Sequence, residues 1–135
     1  MFPTRACRAQ QNNPMTNPSA PSSTTPSNRL NGGKVIARTL AHTGVRTAFC
    51  LAGTAHTQLL FGLQDEKFRI VSGRHETCTV ASADGYARVS GKMGIALIKA
   101  DQGLPNAITG IITAQLACSP VVVLASLTPA NTLEA

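Results

Sequence analysis

The chain has 135 residues, 43% of them apolar and only 13% charged, with a net charge of +6 from twelve Lys and Arg against six Asp and Glu. That length suits one small domain with a modest core. A charged fraction well below the roughly one quarter of ordinary soluble domains points to a surface covered by further chain or by a partner subunit in a homo- or hetero-oligomer.

The cations are scattered, with no basic run and few aromatic residues between them, which argues against nucleic-acid binding. No apolar stretch reaches the roughly eighteen residues of a membrane helix. Cys7, Cys50, Cys78 and Cys118 lie far apart with no C-x-x-C pair. Three of them stand in apolar surroundings, which reads as buried free thiols in a reducing, cytoplasmic compartment rather than as disulfides or zinc ligands.

Residues 1–28 are Pro, Ser, Thr, Asn and Gln with little to bury, and read as a disordered tail. Their arginines and lack of acids faintly suggest a transit peptide, and Met15 competes with Met1 as the start. Residues 29–135 form the domain. "NGGKVIARTLAHTG" (31–44) carries Val35, Ile36 and Leu40 at helical spacing, with Asn31 as cap and Gly44 as stop. "VRTAFCLAG" reads as a short buried strand ending at Gly53, "TAHTQLLFGLQDE" as a helix and "FRIVSG" as a strand. His75 to Val89 is a helix of small residues, followed by the strand "KMGIALIKA". "LPNAITGIITAQLACS" makes a fourth helix and "PVVVLAS" a fully buried strand. Continuous apolar strands alternating with helices predict an α/β fold, a parallel sheet with helices on both faces. Four strands make a thin sheet, so the domain is expected to be incomplete.

In open α/β sheets ligands gather at the carboxyl ends of the strands. Those ends are "AGTAH" (52–56), "SGRHE" (72–76), "KADQGLPN" (99–106) and "ASLTP" (125–129). Neither G-x-x-x-x-G-K-[ST] nor G-x-G-x-x-G is present, so phosphate cradling is not supported. From spacing alone, Glu76 is a first-turn acid complementing a helix dipole. His75 is a turn residue, His42 a helix-terminal cation, and His56 is better placed for a site. Asp84 can pair locally, Gly85 can permit close helix packing, and Asn106 can cap the fourth helix or face a ligand.

The joint pattern "RHETCTVASADGYARVSGKMGIAL" (74–97), a Gly-Asn loop and "SPVVVLAS" (119–126) resembles the N-terminal pyrimidine-binding domain of thiamine-diphosphate-dependent enzymes. It is most similar to the group of acetolactate synthase, benzaldehyde lyase and oxalyl-CoA decarboxylase, and the resemblance spans most of residues 30–127. It implies a flavodoxin-like three-layer fold and assigns to Glu76 the carboxyl group that hydrogen-bonds N1′ of the cofactor's aminopyrimidine. A carboxyl group in a dry pocket makes that bond strong, and the small residues after Glu76 let the helix lie close to a flat ring and a neighbouring subunit. Gly53, Gly103 and Asn106 are the further cofactor positions, His56 and Gln102 the substrate positions, and no metal ligand falls in this chain.

The chain also departs from the family. Ala52-Gly53 stands where many relatives have Pro-Gly. Asp101-Gln102-Gly103-Leu104-Pro105 precedes Asn106 where many have Gly-Pro-Gly, bringing a charge towards the expected pyrimidine edge. His56 stands one residue later than in the Gly-Ala-His of benzaldehyde lyases. Nothing resembles the family's diphosphate- and Mg²⁺-binding domain, or the central domain that binds FAD in some relatives.

The resemblance therefore implies the pyrimidine side of a 2-oxo acid decarboxylase or carboligase, inactive alone, whether a truncated gene or one subunit of a split enzyme that pairs with a diphosphate-binding domain. The alternative is a non-catalytic regulatory module that pairs with an intact relative. The substrate is not legible.

Overall fold

The computed structural model describes residues 30–127; the expected tail, 1–28, lies outside them. Helix α1, Gly32–His42, begins where the Asn31 side chain accepts from the Lys34 amide, satisfying one of the orphan donors of the first turn. Beyond its end Gly44 takes φ +81°, a left-handed conformation that glycine adopts without strain. The chain continues through β1 (Thr47–Cys50), a short 3-10 turn (Thr54–His56), α2 (Thr57–Asp65) and β2 (Arg69–Ser72). Then come α3 (Glu76–Ser90), β3 (Gly94–Lys99), α4 (Gly103–Leu116) and β4 (Val121–Ser126).

The four strands form one parallel sheet in the order β2-β1-β3-β4. On one face Ala37, Leu40 and Ala41 of α1 and Leu63 of α2 pack with Ala48, Cys50, Ile95 and Leu97 of the sheet. On the other, Val80 and Ala83 of α3 and Ala107 of α4 pack with Ala96 and Ile98. Helices therefore cover both faces, as the continuous apolar runs predict. Ile95, Leu97 and Ile98 are fully buried, each worth about 1.5–3 kcal/mol of transfer free energy, so β3 is the axis of the core.

Helix pairs close on glycine. A Cβ on Gly33 would stand 2.5 Å from the Gln58 carbonyl carbon of α2, and charge pairs Lys34–Asp65 (3.2 Å) and Arg38–Glu66 (3.4 Å) flank that contact. On the opposite face a Cβ on Gly110 would lie 3.0 Å from Val80 Cβ and 3.1 Å from the Thr77 carbonyl oxygen, so α4 sits tightly on α3.

Several expectations need correction. β4 is half-buried rather than fully buried, because it is an edge strand hydrogen-bonded to β3 alone. Cys50 is buried, whereas Cys78 and Cys118 are exposed free thiols: Cys78 lies on the outer side of α3, and Cys118 in the turn after α4 at φ 50°. Among the described residues, none outside its own turn of helix comes within 4 Å of a would-be Cβ on Gly85, so it supports no packing against the other described helices. No helix among the described residues is long and apolar enough to cross a membrane.

Candidate functional site at the carboxyl edge of the sheet

β1 and β3 are neighbours, but their following helices leave on opposite faces: α2 joins the α1 layer and α4 the α3 layer. This reversal opens a crevice at their carboxyl ends, the usual ligand position of doubly wound sheets. The starts of α3 and α4 meet there.

His75 caps α3 through its own ring, Nδ1 accepting from the Thr77 amide at 3.2 Å. This fixes the turn so that Glu76 is the first helical residue, half-buried at the crevice. Asn106 Nδ2 donates to Glu76 Oε2 at 3.2 Å. Gly103 lies against the other oxygen, where a Cβ would stand 2.9 Å from Glu76 Oε1. The carboxylate is thus held by one oxygen while the second stands beside a residue without a side chain. Asn106 does not cap α4; Gln102 holds the cap position without a side-chain bond.

Thr77 completes the cluster, and the sequence reading missed it. Its Oγ1 donates to the Asn106 carbonyl oxygen, so two hydrogen bonds join the first turns of α3 and α4. The reach is possible because Gly110 lets the helices approach. A glycine seven residues after Gly103 on the same helix face was the available sign.

His56 lies apart from this cluster, on the α1–α2 side of the sheet beside Gly33, Leu124 and Ser126. It is 2% exposed, and its Nε2 lies 3.0 Å from the Ile98 carbonyl oxygen, which ties the loop after β1 to β3. Nε2 therefore carries the proton, and Nδ1 is buried with no hydrogen-bond partner among the described residues. Burial holds the His56 pKa below the usual 6.5, the Ile98 bond partly offsetting it. Gly53 lies alongside, its would-be Cβ 3.8 Å from Nδ1.

Of the expected residues, then, Glu76, Gly103 and Asn106 come together, and Gly53 and His56 form a second pair. Gln102 is exposed at the start of α4. The charge of Asp101 is offset by Lys99 Nζ at 3.1 Å from Oδ2.

Other titratable groups are structural. Asp84 takes both its oxygens to Arg88, at 2.9 and 2.6 Å, and the Arg88 guanidinium holds its carboxyl below the usual range. Burial pushes the Cys50 thiol up to about 11. Among the described residues, His, Cys, Asp and Glu form no group of three or more that could hold a metal ion.

Sheet order and helix placement define the chain as a doubly wound α/β domain with a crevice at the carboxyl ends of its strands. The sequence places that domain within a family. Residues 30–134 match the thiamine pyrophosphate enzyme, N-terminal TPP binding domain, and the chain belongs to that family.

It is 40% identical over 93 residues to human 2-hydroxyacyl-CoA lyase 2, an alignment covering 69% of this chain and 15% of the relative. It is 33% identical over 107 residues to the acetolactate synthase large subunit of Mycobacterium tuberculosis, covering 79% and 20%. Among solved structures, the thiamine diphosphate-dependent 4-hydroxybenzoylformate decarboxylase of Rhodococcus jostii RHA1 superposes with TM-score 0.69 at 30% identity, over 76% of this chain and 19% of that one. The chain therefore spans about a fifth or less of the proteins it matches. The family confirms the expected resemblance and the thiamine-diphosphate-binding character of the domain.

Proposed function

We propose that this chain supplies the aminopyrimidine side of a thiamine diphosphate site in a 2-oxo acid decarboxylase or carboligase, with Glu76 as the acid. A separate domain or subunit carries the diphosphate and its Mg²⁺. The carrying observation is the Glu76 carboxylate held at Oε2 by Asn106, with Oε1 beside the bare Cα of Gly103.

These residues fit the group. A flat ring needs a backbone approach free of side chains, and Gly103 provides one. A weakly basic ring nitrogen needs a fixed carboxyl partner, and Glu76 provides that. When bound, thiamine diphosphate supplies the electron sink that the protein lacks. Glu76 would hold a proton towards the aminopyrimidine nitrogen when the cofactor is bound. Asn106 keeps the carboxyl from rotating, and Thr77 keeps Asn106 in place. His56 and Gln102 are the proposed substrate contacts, and Gly53 is a further cofactor position. The names of the relatives, an acyl-CoA lyase, an acetolactate synthase and a decarboxylase, support carbon–carbon bond cleavage or formation as the reaction class.

The test is a titration of the ¹⁵N-labelled chain with thiamine, which carries the pyrimidine without the diphosphate. The expected result is weak, saturable shifts at Glu76, Gly103 and Asn106 that vanish in Glu76→Gln. Absence of those shifts up to about 10 mM thiamine, well beyond what half a site requires, overturns the reading.

A further inference from the structure

We propose that the cavity between α1, the 3-10 turn and β4 binds a small neutral molecule with an apolar body and one hydroxyl group, an alcohol or a phenol. Its volume is about 380 Å³, within the range of small-molecule sites. That is well above the roughly 150 Å³ that holds a benzene ring. The wall is largely apolar, with Ile36 of α1, Ala55 of the turn, Leu59 of α2, and Leu124 and Ala125 of β4. No charged side chain lines it, so a charged ligand would be desolvated there without a counter-charge. The cavity lies on the α1–α2 face of the sheet, whereas Glu76 and Asn106 meet on the α3–α4 side. Its occupant is therefore not the thiamine ring.

The segments around the cavity are held in place. Gly33 lets α1 rest on α2, since a Cβ there would stand 2.5 Å from the Gln58 carbonyl carbon. Asn31 Nδ2 donates to Gln58 Oε1 at 2.7 Å and ties the same two helices at their starts. The 3-10 turn is anchored to β3 through His56 Nε2 and the Ile98 carbonyl oxygen. A wall fixed in this way spares a ligand the cost of ordering it.

Two lining residues carry the polar signal. His56 is 2% exposed, and its Nδ1 is buried without a hydrogen-bond partner among the described residues. The same holds for Ser126 Oγ. Buried polar atoms without partners are uncommon and costly, and here both belong to the residues of one cavity. They also define the ligand. Nε2 gives its proton to Ile98, so Nδ1 can only accept, whereas the Ser126 hydroxyl can donate or accept. A hydroxyl group suits both, donating to the imidazole and accepting from the serine. A ketone or an ether offers Nδ1 no proton, and an alkylamine arrives charged.

This site is independent of the cofactor reading. Glu76→Gln, which abolishes the thiamine shifts, leaves it unchanged. The test is a titration of the ¹⁵N-labelled full chain with 2-naphthol near neutral pH, beside naphthalene, which has the same rings without the hydroxyl. The expected result is saturable shifts of the Gly33, Ala55 and Ala125 amides, with a Kd for 2-naphthol on the order of 0.1 mM. Naphthalene should bind at least fivefold more weakly, the usual worth of one hydrogen bond to a buried partner. Ser126→Ala should weaken 2-naphthol alone. His56→Phe keeps a ring and should erase the difference between the two compounds. Should that variant fail to fold, Ser126→Ala and the paired compounds on the native chain still decide.

No shifts up to about 1 mM 2-naphthol, ten times the expected constant, overturn the proposal. So does naphthalene binding as tightly as 2-naphthol to the native chain, which would leave apolar burial alone. Shifts centred on α4 put the compound on another surface and equally overturn it.

Discussion

Asn106, in the first turn of α4, donates its side-chain amide to Glu76, the first residue of α3, across 3.2 Å and thirty positions of sequence. The bond crosses between two helices on one side of the sheet. Anything that changes their spacing therefore moves the carboxylate.

Gly103→Ala isolates the space beside that carboxylate. The new Cβ would stand 2.9 Å from Glu76 Oε1 and 3.0 Å from Cγ. The obstacle is a movable side chain rather than backbone, so the fold survives and the helix gains up to about 1 kcal/mol of propensity. Thiamine-induced shifts should weaken at least tenfold while the thermal midpoint stays level or rises. A lower midpoint together with unaltered shifts would show that Gly103 serves packing alone.

Thr77→Val removes the hydroxyl that holds the Asn106 carbonyl and keeps the shape of the side chain. The expected cost is about 0.5–1.5 kcal/mol, the usual net worth of one hydrogen bond. The diagnostic readout is ¹⁵N relaxation of the Asn106 side-chain amide, which should become mobile in Thr77→Val and rigid again in Thr77→Ser. A residue important only for helix packing would lower stability without freeing that amide.

Two helical glycines should respond in opposite senses to the same change. Gly110→Ala puts a Cβ 3.0 Å from Val80 Cβ and 3.1 Å from the Thr77 carbonyl oxygen. Separating α4 from α3 should cost about 1–3 kcal/mol. Gly85→Ala meets nothing within 4 Å among the described residues and should stabilise the chain by about 1 kcal/mol through helix propensity. Urea unfolding of both variants checks the sign.

That contrast also shows what the sequence makes legible. Alternating helices and continuous apolar strands were enough for the sheet, both helix layers and the element boundaries to within three residues, because burial of β3 and the cap at Asn31 are local consequences of residue type. Spacing alone made Glu76 a first-turn acid complementing a helix dipole. Only the joint motif pointed to a cofactor contact there, and the structure sets Asn106 and Gly103 beside it at the carboxyl edge of the sheet.

What stayed hidden depended on neighbours. "PVVVLAS" looks the same whether it is central or at an edge, and the sheet order decided that it was an edge. Cys78 sits in an apolar context of sequence yet on the outer side of its helix. Gly85 and Gly110 are both helical glycines, and only the approach of the second helix distinguishes them. Thr77 carries no mark at all, since its role exists only once α4 is in contact with α3.

Thiol reactivity separates the three described cysteines. Cys50 is buried, with its thiol pushed up to about 11, so at pH 8 it is almost wholly protonated as well as shielded. Reactivity needs an accessible thiolate. Iodoacetamide at pH 8 should therefore label Cys78 and Cys118 in the native chain and reach Cys50 only in denaturant, as read by peptide mass spectrometry. Native labelling of Cys50 at the rate of Cys118 would mean that the β1 strand opens.

His56 makes the fold sensitive to acid in a window separate from the carboxylates. In the folded chain its Nε2–H donates to the Ile98 carbonyl and its Nδ1 is buried without a hydrogen-bond partner among the described residues. A second proton would place an unpaired donor, and a charge, in the interior. Its folded pKa accordingly lies below the usual 6.5, and the unfolded chain binds the proton more readily. By linkage, the stability owed to neutral His56 is fully present above pH 6.5 and is lost as the pH falls from there towards the lowered folded value. His56→Gln keeps an amide donor for Ile98 and removes the titration. Thermal midpoints measured from pH 7.5 down to the carboxylate range should fall below about pH 6.5 in the parent chain and stay level over the same window in the variant. Equal slopes in the two proteins would show that the imidazole is free to protonate in place, and that the loop after β1 is not held by it.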